Sequence, residues 1–399
     1  MPATRLARLG TETAFSVSKE AGDFAALGNT VYPFHLGDLN FATPQNIVDA
    51  AFKAIKDGKT GYCPNAGIPV LRELMANDIN AARGTNYTAN NVSIQPGGKP
   101  VIGKFLLGTM NPGDEVLYPN PGFPIYESLI EFHGGTAIPY GFVEGAENFE
   151  LDLDRIEASI TPKTCGLIFN NLHNPTGAES SHGELERLAA LAVKYDLQVL
   201  ADEAYFDVRY EGKTESITSF PDMGERTVIL QTFSKKFAMT GWRVGAAIGP
   251  EKLIDAISVM NVNEESCTNH FIQYAAAEAL QGDQQPAMDM LGVLKERRNR
   301  AVEILNSIPG VRTYSPEVTF YLFPNVTEAM ANTGFDDYDE FRTAVLRATG
   351  VSFCTRSHFG TPLPGETQRY IRLAYSGIDM DQIEEGLGKM KTFLESRMR

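Results

Sequence analysis

From about residue 90 to 250, short apolar runs alternate with helical patterns, and this alternation confines the chain to a mostly parallel sheet covered by helices. The candidate strands are Glu115 to Tyr118, Cys165 to Asn170, Gln198 to Ala201, Val228 to Gln231 and Val244 to Ile248. Between the second and third, Ser181 and Glu184 have the spacing of a capping box, and Leu185, Leu188, Ala189 and Ala192 follow as an apolar stripe at helical period. A helical crossover is what two adjacent parallel strands require. The pattern therefore predicts an α/β fold.

At 399 residues the chain is longer than one compact core usually holds, so a large domain and a smaller one are expected. The texture changes after Lys295: a charged helix (Lys295 to Leu305), a strand pair around Val311 to Leu322, a helix near Phe341 to Ala348, strands at Val351 to Cys354 and Tyr370 to Ala374, and a final helix. This reads as an α+β layer. The expected division is a large α/β domain over residues 46–295 and a small α+β domain from residues 1–45 and 296–399. The first segment, with its turn at Gly37 to Pro44, joins the small domain because a terminal arm without a core must pack somewhere. No internal repeat, low-complexity stretch or linker is present.

The formal net charge of -15 and a pI near 4.9 argue against nucleic acid or an anionic membrane as partner, since both demand a concentrated positive patch. Small metabolites are the expected partners. No run approaches the ~20 apolar residues that cross a bilayer, and the opening residues lack a secretory apolar core, so the expected location is the cytoplasm. Cys63, Cys165, Cys267 and Cys354 lie far apart with no histidine at a metal-ligand spacing, which predicts reduced thiols and no metal. The tetrapeptide Asp57 to Thr60 imitates the tail of a P-loop, but Lys53 stands where its first glycine belongs.

Ligands of open α/β sheets gather beyond the carboxyl ends of the strands, and here three successive strands end in unusual polar sets. These are Asn170 to Gly177 (NNLHNPTG), Ala201 to Tyr205 (ADEAY) and Thr232 to Arg243 (TFSKKFAMTGWR). They supply an amide, a carboxylate with a nearby phenol, and a lysine flanked by a hydroxyl and an arginine. A fourth set, Gln95 to Pro100 (QPGGKP), opens a helix: two glycines let backbone approach a ligand, and free N–H groups at the helix start favour an anion. Any one of these recurs by chance as a turn, a cap or a solvated charge. Four in order at one sheet edge predict a phosphate-bearing ligand beside a lysine.

With these residues in place, the chain resembles the class I/II aminotransferases of fold type I, the aspartate aminotransferase-like enzymes dependent on pyridoxal 5'-phosphate (PLP), over nearly its whole length. The segment SKKFAMTGWRVG is similar to the family's lysine motif and selects Lys235 over Lys236, because Thr232 and Arg243 then fall in register. The resemblance implies that Lys235 attaches the cofactor and moves the substrate proton. It implies that Asp202 pairs with the pyridine nitrogen, and that Tyr205 and Asn174 bond the ring hydroxyl. Gly97, Gly98, Lys99, Thr232 and Arg243 are implied around the phosphate, Phe123 on the ring face, and Tyr62 on the phosphate of a neighbouring subunit in a homodimer with shared sites. Gly37, Asn174 and Arg372 are implied at the substrate carboxylate, and cis peptides are implied at Asn120-Pro121 and Asn174-Pro175.

The chemistry suits those residue types. A carboxylate beside the pyridine nitrogen favours its protonated, electron-withdrawing form. A lysine can become a neutral amine near neutral pH when buried beside another cation, which an arginine cannot. The activity implied is transfer of the amino group of an L-amino acid to a 2-oxo acid, 2-oxoglutarate or pyruvate, with an aspartate- or glutamate-type donor. A carbon-sulfur lyase, racemase or decarboxylase shares the same cofactor set, and a non-catalytic PLP-binding regulator is a rival from another class.

Departures from the family pattern fall at Leu39 and Leu172, where proline is usual, and at Cys354 to Gly360 (CTRSHFG). The last puts Arg356 on the small domain, where it is expected either to receive a second substrate carboxylate or to make a surface ion pair. Lys236 is expected to be solvated, Trp242 and Met239 to pack, and Asp38 and Glu203 to be caps or surface carboxylates. His173 is expected either near the ligand or as a loop stabiliser.

Overall fold

The computed structural model describes residues 2–10 and 13–398. Its centre is a seven-stranded sheet of β1 (Val92–Gln95), β2 (Glu115–Pro119), β3 (Thr136–Tyr140), β4 (Thr164–Phe169), β5 (Gln198–Asp202), β6 (Thr227–Thr232) and β7 (Gly245–Ile248), in spatial order β1-β7-β6-β5-β4-β2-β3. All pairs are parallel except those made by β7, which runs antiparallel to β1 and to β6. The fold is α/β, as the sequence pattern predicts, and all five expected strands form. Two edge strands, β1 and β3, escape the pattern. β3 contains Pro139, which an edge position tolerates because one ladder is missing there.

Strands buried on both faces read as continuous apolar runs, and the central ones show why. In β5, Leu200 packs with Val101, Phe105 and Ile254 on one face, while Val199 and Ala201 pack with Leu185, Leu188 and Ala192 on the other. The helix supplying the second set, His182–Lys194, begins at Ser181, whose hydroxyl and the Glu184 carboxylate satisfy each other's backbone N–H. Helices Gln45–Lys56, Pro69–Arg83 and His270–Gln281 cover the β1, β6 and β7 end through Ile47, Leu71, Ile79 and Ala276. Among the described residues, no helix is long and apolar enough to cross a membrane.

A separate apolar core gathers Tyr32, Phe34, Phe320, Leu322, Val345, Phe353, Leu373 and Leu387. Its sheets are small: Tyr321–Leu322, Ile371–Ala374 and Cys354–Thr355 form one, and Tyr32–Pro33 pairs in parallel with Val351–Ser352. The expected strand Val351 to Cys354 is therefore broken at Phe353, each half pairing with a different partner. The expected pair around Val311 to Leu322 reduces to the strand Tyr321–Leu322 and isolated bridges of Arg312 with Asn325 and of Val318 with Arg209. The charged helix is longer than its pattern, Gln285–Asn306, and runs from one core to the other: Ala287 and Met290 lie in the first, Leu294, Ala301 and Leu305 in the second.

Because β7 is antiparallel, its first residues meet the carboxyl ends of the other strands. Arg243, just before β7, thus reaches the edge where Gln95, Phe169, Asp202 and Thr232 end their strands, Asn170 following directly.

Candidate active site

A cavity of about 270 Å³ opens at that edge, between the large sheet and the second core. Its walls include Gly98, Lys99, Phe123, Asn174, Asp202, Tyr205, Thr232, Lys235 and Arg243 from the sheet side, and Gly37, Tyr321 and Arg372 from the other. Both Asn120-Pro121 and Asn174-Pro175 are cis.

The floor at β1 is shaped by missing side chains. Gly97 has a left-handed φ of +101°, and a Cβ there would stand 2.2 Å from Arg243 Nη2; one at Gly98 would stand 2.9 Å from Leu230 Cδ2. Only glycines let this backbone lie against the guanidinium. Lys99 and Pro100 then start the helix Lys99–Thr109, whose first N–H groups have no intrahelical acceptor. Arg243 is itself left-handed (φ 56°) and donates through Nη1 to Thr240 O at 2.7 Å. The Thr232 and Ser234 hydroxyls sit 2.9 Å apart beside it.

At β5, Asp202 is 6% exposed. Tyr126 donates to its Oδ2 at 2.6 Å and the Ala204 N–H to its Oδ1 at 3.2 Å. These bonds, and Lys235, favour the carboxylate, yet burial outweighs them and pushes the Asp202 pKa up. Asn170 donates to the Asp202 carbonyl at 2.8 Å and accepts from the Asn174 N–H at 3.0 Å, fixing the turn that carries Asn174. Tyr205 and Tyr321 share a hydroxyl contact of 2.7 Å across the two walls, and burial raises the Tyr205 pKa.

Lys235 donates through Nζ to Gly37 O at 2.7 Å, a second bond between the walls. Gly37 must be glycine, for a Cβ would lie 2.1 Å from the Tyr321 hydroxyl. Arg372 is 3% exposed, with its guanidinium carbon 4.7 Å from the Tyr321 ring centre and 4.9 Å from that of Phe359. It donates to the His35 carbonyl and, at 3.4 Å, to Asn174 Oδ1, while its buried Nε has no partner among the described residues.

Two of the expected site residues lie off the cavity wall. Gly97 lies behind it, against Arg243, and Tyr62 is 88% exposed. Arg356 corrects an expectation: its Nε and Nη2 fork onto Glu366 at 2.7 and 2.9 Å, Nη1 donates to Gly360 O, and Nη2 also donates to Asn120 Oδ1. With its donors engaged, buried and away from the cavity wall, it has nothing to offer a substrate carboxylate. Glu203 also departs from expectation: it is 5% exposed and ion-paired with Arg83, which lies over the Phe206 ring. Lys236, expected to be solvated, is three-quarters buried and faces Asp207 at 3.5 Å. His173 takes its loop role, contacting Thr176 Oγ1 at 2.8 Å, and Asp38 holds a turn by accepting from the Leu39 N–H and the Thr240 hydroxyl. Trp242 and Met239 pack against the core at the β1 end.

Sequence reasoning missed Tyr126, Asn170, Ser234 and Tyr321. Asn170 and Ser234 lie inside motifs already singled out, four residues before Asn174 and beside Lys235, and Tyr126 lies three residues after Phe123. Tyr321 had no local signal.

Residues 29–390 match the family described as aminotransferase class I and II. The chain belongs to that family. It is 32% identical to the aspartate aminotransferase of Geobacillus stearothermophilus, over 99% of each chain. The asparagine-oxo-acid transaminase of Streptococcus mutans is also 32% identical, over 98% of each. Among solved structures, the alanine aminotransferase of Pyrococcus furiosus superposes with a TM-score of 0.92 at 28% identity, covering 100% of both chains. The protein is therefore an enzyme, an aminotransferase of fold type I, and enzymes of this family generally depend on PLP.

Proposed function

We propose that this aminotransferase holds PLP at Lys235 and exchanges the amino group of an acidic L-amino acid, aspartate or glutamate, with a 2-oxo acid such as 2-oxoglutarate or pyruvate. The observation that carries the reading is a single cavity that sets the Lys235 amine among a buried carboxylate, Asp202, and two arginines, Arg243 and Arg372. The donor set fits the cofactor. The glycine cup at Gly97 and Gly98 with Arg243, Thr232 and the helix start at Lys99 suits a phosphate dianion. A carboxylate raised by burial, as Asp202 is, gains most from a cationic ring nitrogen. Phe123 offers a ring face, and Tyr205 and Asn174 offer hydrogen bonds to a ring oxygen.

When bound, PLP supplies an electron sink for the pair left at the substrate Cα. The protein's own work is positional and protic. Arg372 forks onto the α-carboxylate, its partnerless Nε being one of the donors available, and so fixes which Cα bond is presented. Lys235, as a neutral amine, takes and returns the Cα proton.

We further propose a cytoplasmic homodimer. Tyr62, with Phe52, Ile55 and Val70 exposed nearby in the chain, supports a second copy covering this face and receiving the tyrosine at its phosphate. The separate cores support two bodies, residues 46–295 against 1–45 and 296–399, with substrate held between them, although Arg5 lies over the Phe132 ring and the Gly10 N–H donates to Ser128 of the larger body. The test is stoichiometric. Holoenzyme given L-aspartate alone yields one equivalent of 2-oxo acid per site and stops. Continuous ammonia release would instead indicate a lyase, and accumulation of D-aspartate a racemase.

A further inference from the structure

We propose that a cavity separate from the active site is an effector site for a small aromatic carboxylate, which ties the two bodies together and slows turnover. The inference goes beyond the aminotransferase reading and uses it only for a kinetic readout. The cavity measures about 370 Å³, within the range of small-molecule sites. It opens between the paired strands Phe142–Glu144 and Phe149–Leu151 and the loop 361–368. Among the described residues the two cavities share no wall residue, yet they are neighbours. Asn120 and Pro121 lead to Phe123, Thr176 follows Asn174 closely, and Tyr370 stands just before Arg372.

The wall combines a cluster of rings with one unanswered charge. Phe323 and Tyr370 stack with centres 5.1 Å apart, and Phe149 meets them edge-on at 5.8 and 5.5 Å, an arrangement that a further ring can join. Most of the charged wall residues are already satisfied. Glu144 accepts from Arg312, Asn325 and the Tyr370 hydroxyl, and Arg356 forks onto Glu366. Asp152 accepts the Arg155 backbone N–H at 3.1 Å. The half-buried Arg155 guanidinium, by contrast, has no hydrogen bond or ion pair among the described residues. A planar guanidinium matches a carboxylate, and one such cation suits a single negative charge rather than a phosphate dianion. The rings and the charge also come from both bodies: Phe149 and Arg155 from the larger, Phe323, Tyr370 and the loop from the smaller. An occupant held by both restrains their relative motion, and substrate must enter and leave between them.

A monocarboxylate can also enter the active site, so the two arginines separate the sites. The measurement is calorimetric binding of 3-phenylpropionate to holoenzyme in wild type, Arg155→Gln, Arg155→Lys and Arg372→Leu, with 2-phenylethylamine as the cationic control. Steady-state rates with saturating L-aspartate are taken with and without the probe. The expected result is a binding event that survives Arg372→Leu, weakens about tenfold or more in Arg155→Gln and partly recovers in Arg155→Lys, with the amine bound about tenfold more weakly than the acid. The probe is expected to lower kcat about twofold or more in wild type and to leave Arg155→Gln unaffected. Binding that disappears with Arg372→Leu, is indifferent to Arg155→Gln or is matched by the amine overturns the proposal. An unchanged kcat with the site filled overturns it as well. Absence of aspartate turnover in the wild type would instead strike the donor reading, and the binding results would still decide the site.

Discussion

The two walls of the cavity are built differently. On the sheet side, each functional residue stands within a few positions of a strand end, and the strands, all but the edge strand β1, are locked by ladders on both sides and apolar packing on both faces. On the other side, Gly37, Tyr321 and Arg372 come from three separated stretches, held by strands of two to four residues around a core of their own. In the proposed function the sheet wall holds the cofactor. The composite wall fits the substrate, which must enter and leave. Polar contacts that join them include Lys235 to Gly37, Tyr205 to Tyr321, and Arg372 to Asn174.

If the walls divide the labour in this way, damage to each has a distinct signature. Asp202→Asn, on the sheet wall, is expected to lower kcat about 10³-fold, as loss of an electrostatic partner does at other active sites, and to weaken cofactor retention. Reconstitution titrations and steady-state rates measure both. Arg356→Ala tests the composite wall where it is structural. Stranding Glu366 in a largely buried pair is expected to cost about 3 kcal/mol in urea unfolding, with the aspartate-to-alanine ratio unchanged. A changed ratio with intact stability would return Arg356 to the substrate.

Arg372→Leu removes two charge-assisted hydrogen bonds, each worth about 1.5 kcal/mol, so kcat/KM for amino acids is expected to fall about 10²-fold while cofactor affinity holds. Equal loss of cofactor would erase the distinction between the walls. The smallest effect comes from one buried histidine in each region. Burial, with Arg372 and Arg342 nearby, lowers the His35 pKa to about 4, and burial lowers that of His173 to about 3. Their folded values lie below the unfolded one, so the stability they contribute is complete above pH 6.5 and is lost as pH falls. At pH 5 each is expected to cost about 2 kcal/mol, and His35→Asn should recover only the share of its own region. Unfolding that is unchanged between pH 7 and pH 5 would contradict this.

The contrast also explains what the sequence could disclose. Strands covered on both faces leave apolar runs, and ligand residues at their ends leave polar punctuation, so Asn174, Asp202, Thr232, Lys235 and Arg243 were legible locally. The family resemblance added Gly37 and Arg372. Tyr126 stayed hidden because its partner, Asp202, is 76 residues away, and Tyr321 because its partner, Tyr205, is 116 away. Arg356 misled because its neighbour in space, Glu366, sits in a loop with no periodic pattern. The two-residue strands of the second core are too short to display alternation at all.

The account depends on the identity of one amine. Holoenzyme reduced with borohydride, digested and sequenced by mass spectrometry should carry the cofactor mass on the peptide containing Lys235, with Lys236 unmodified. A label on any other lysine, or none after PLP has been supplied, would contradict it.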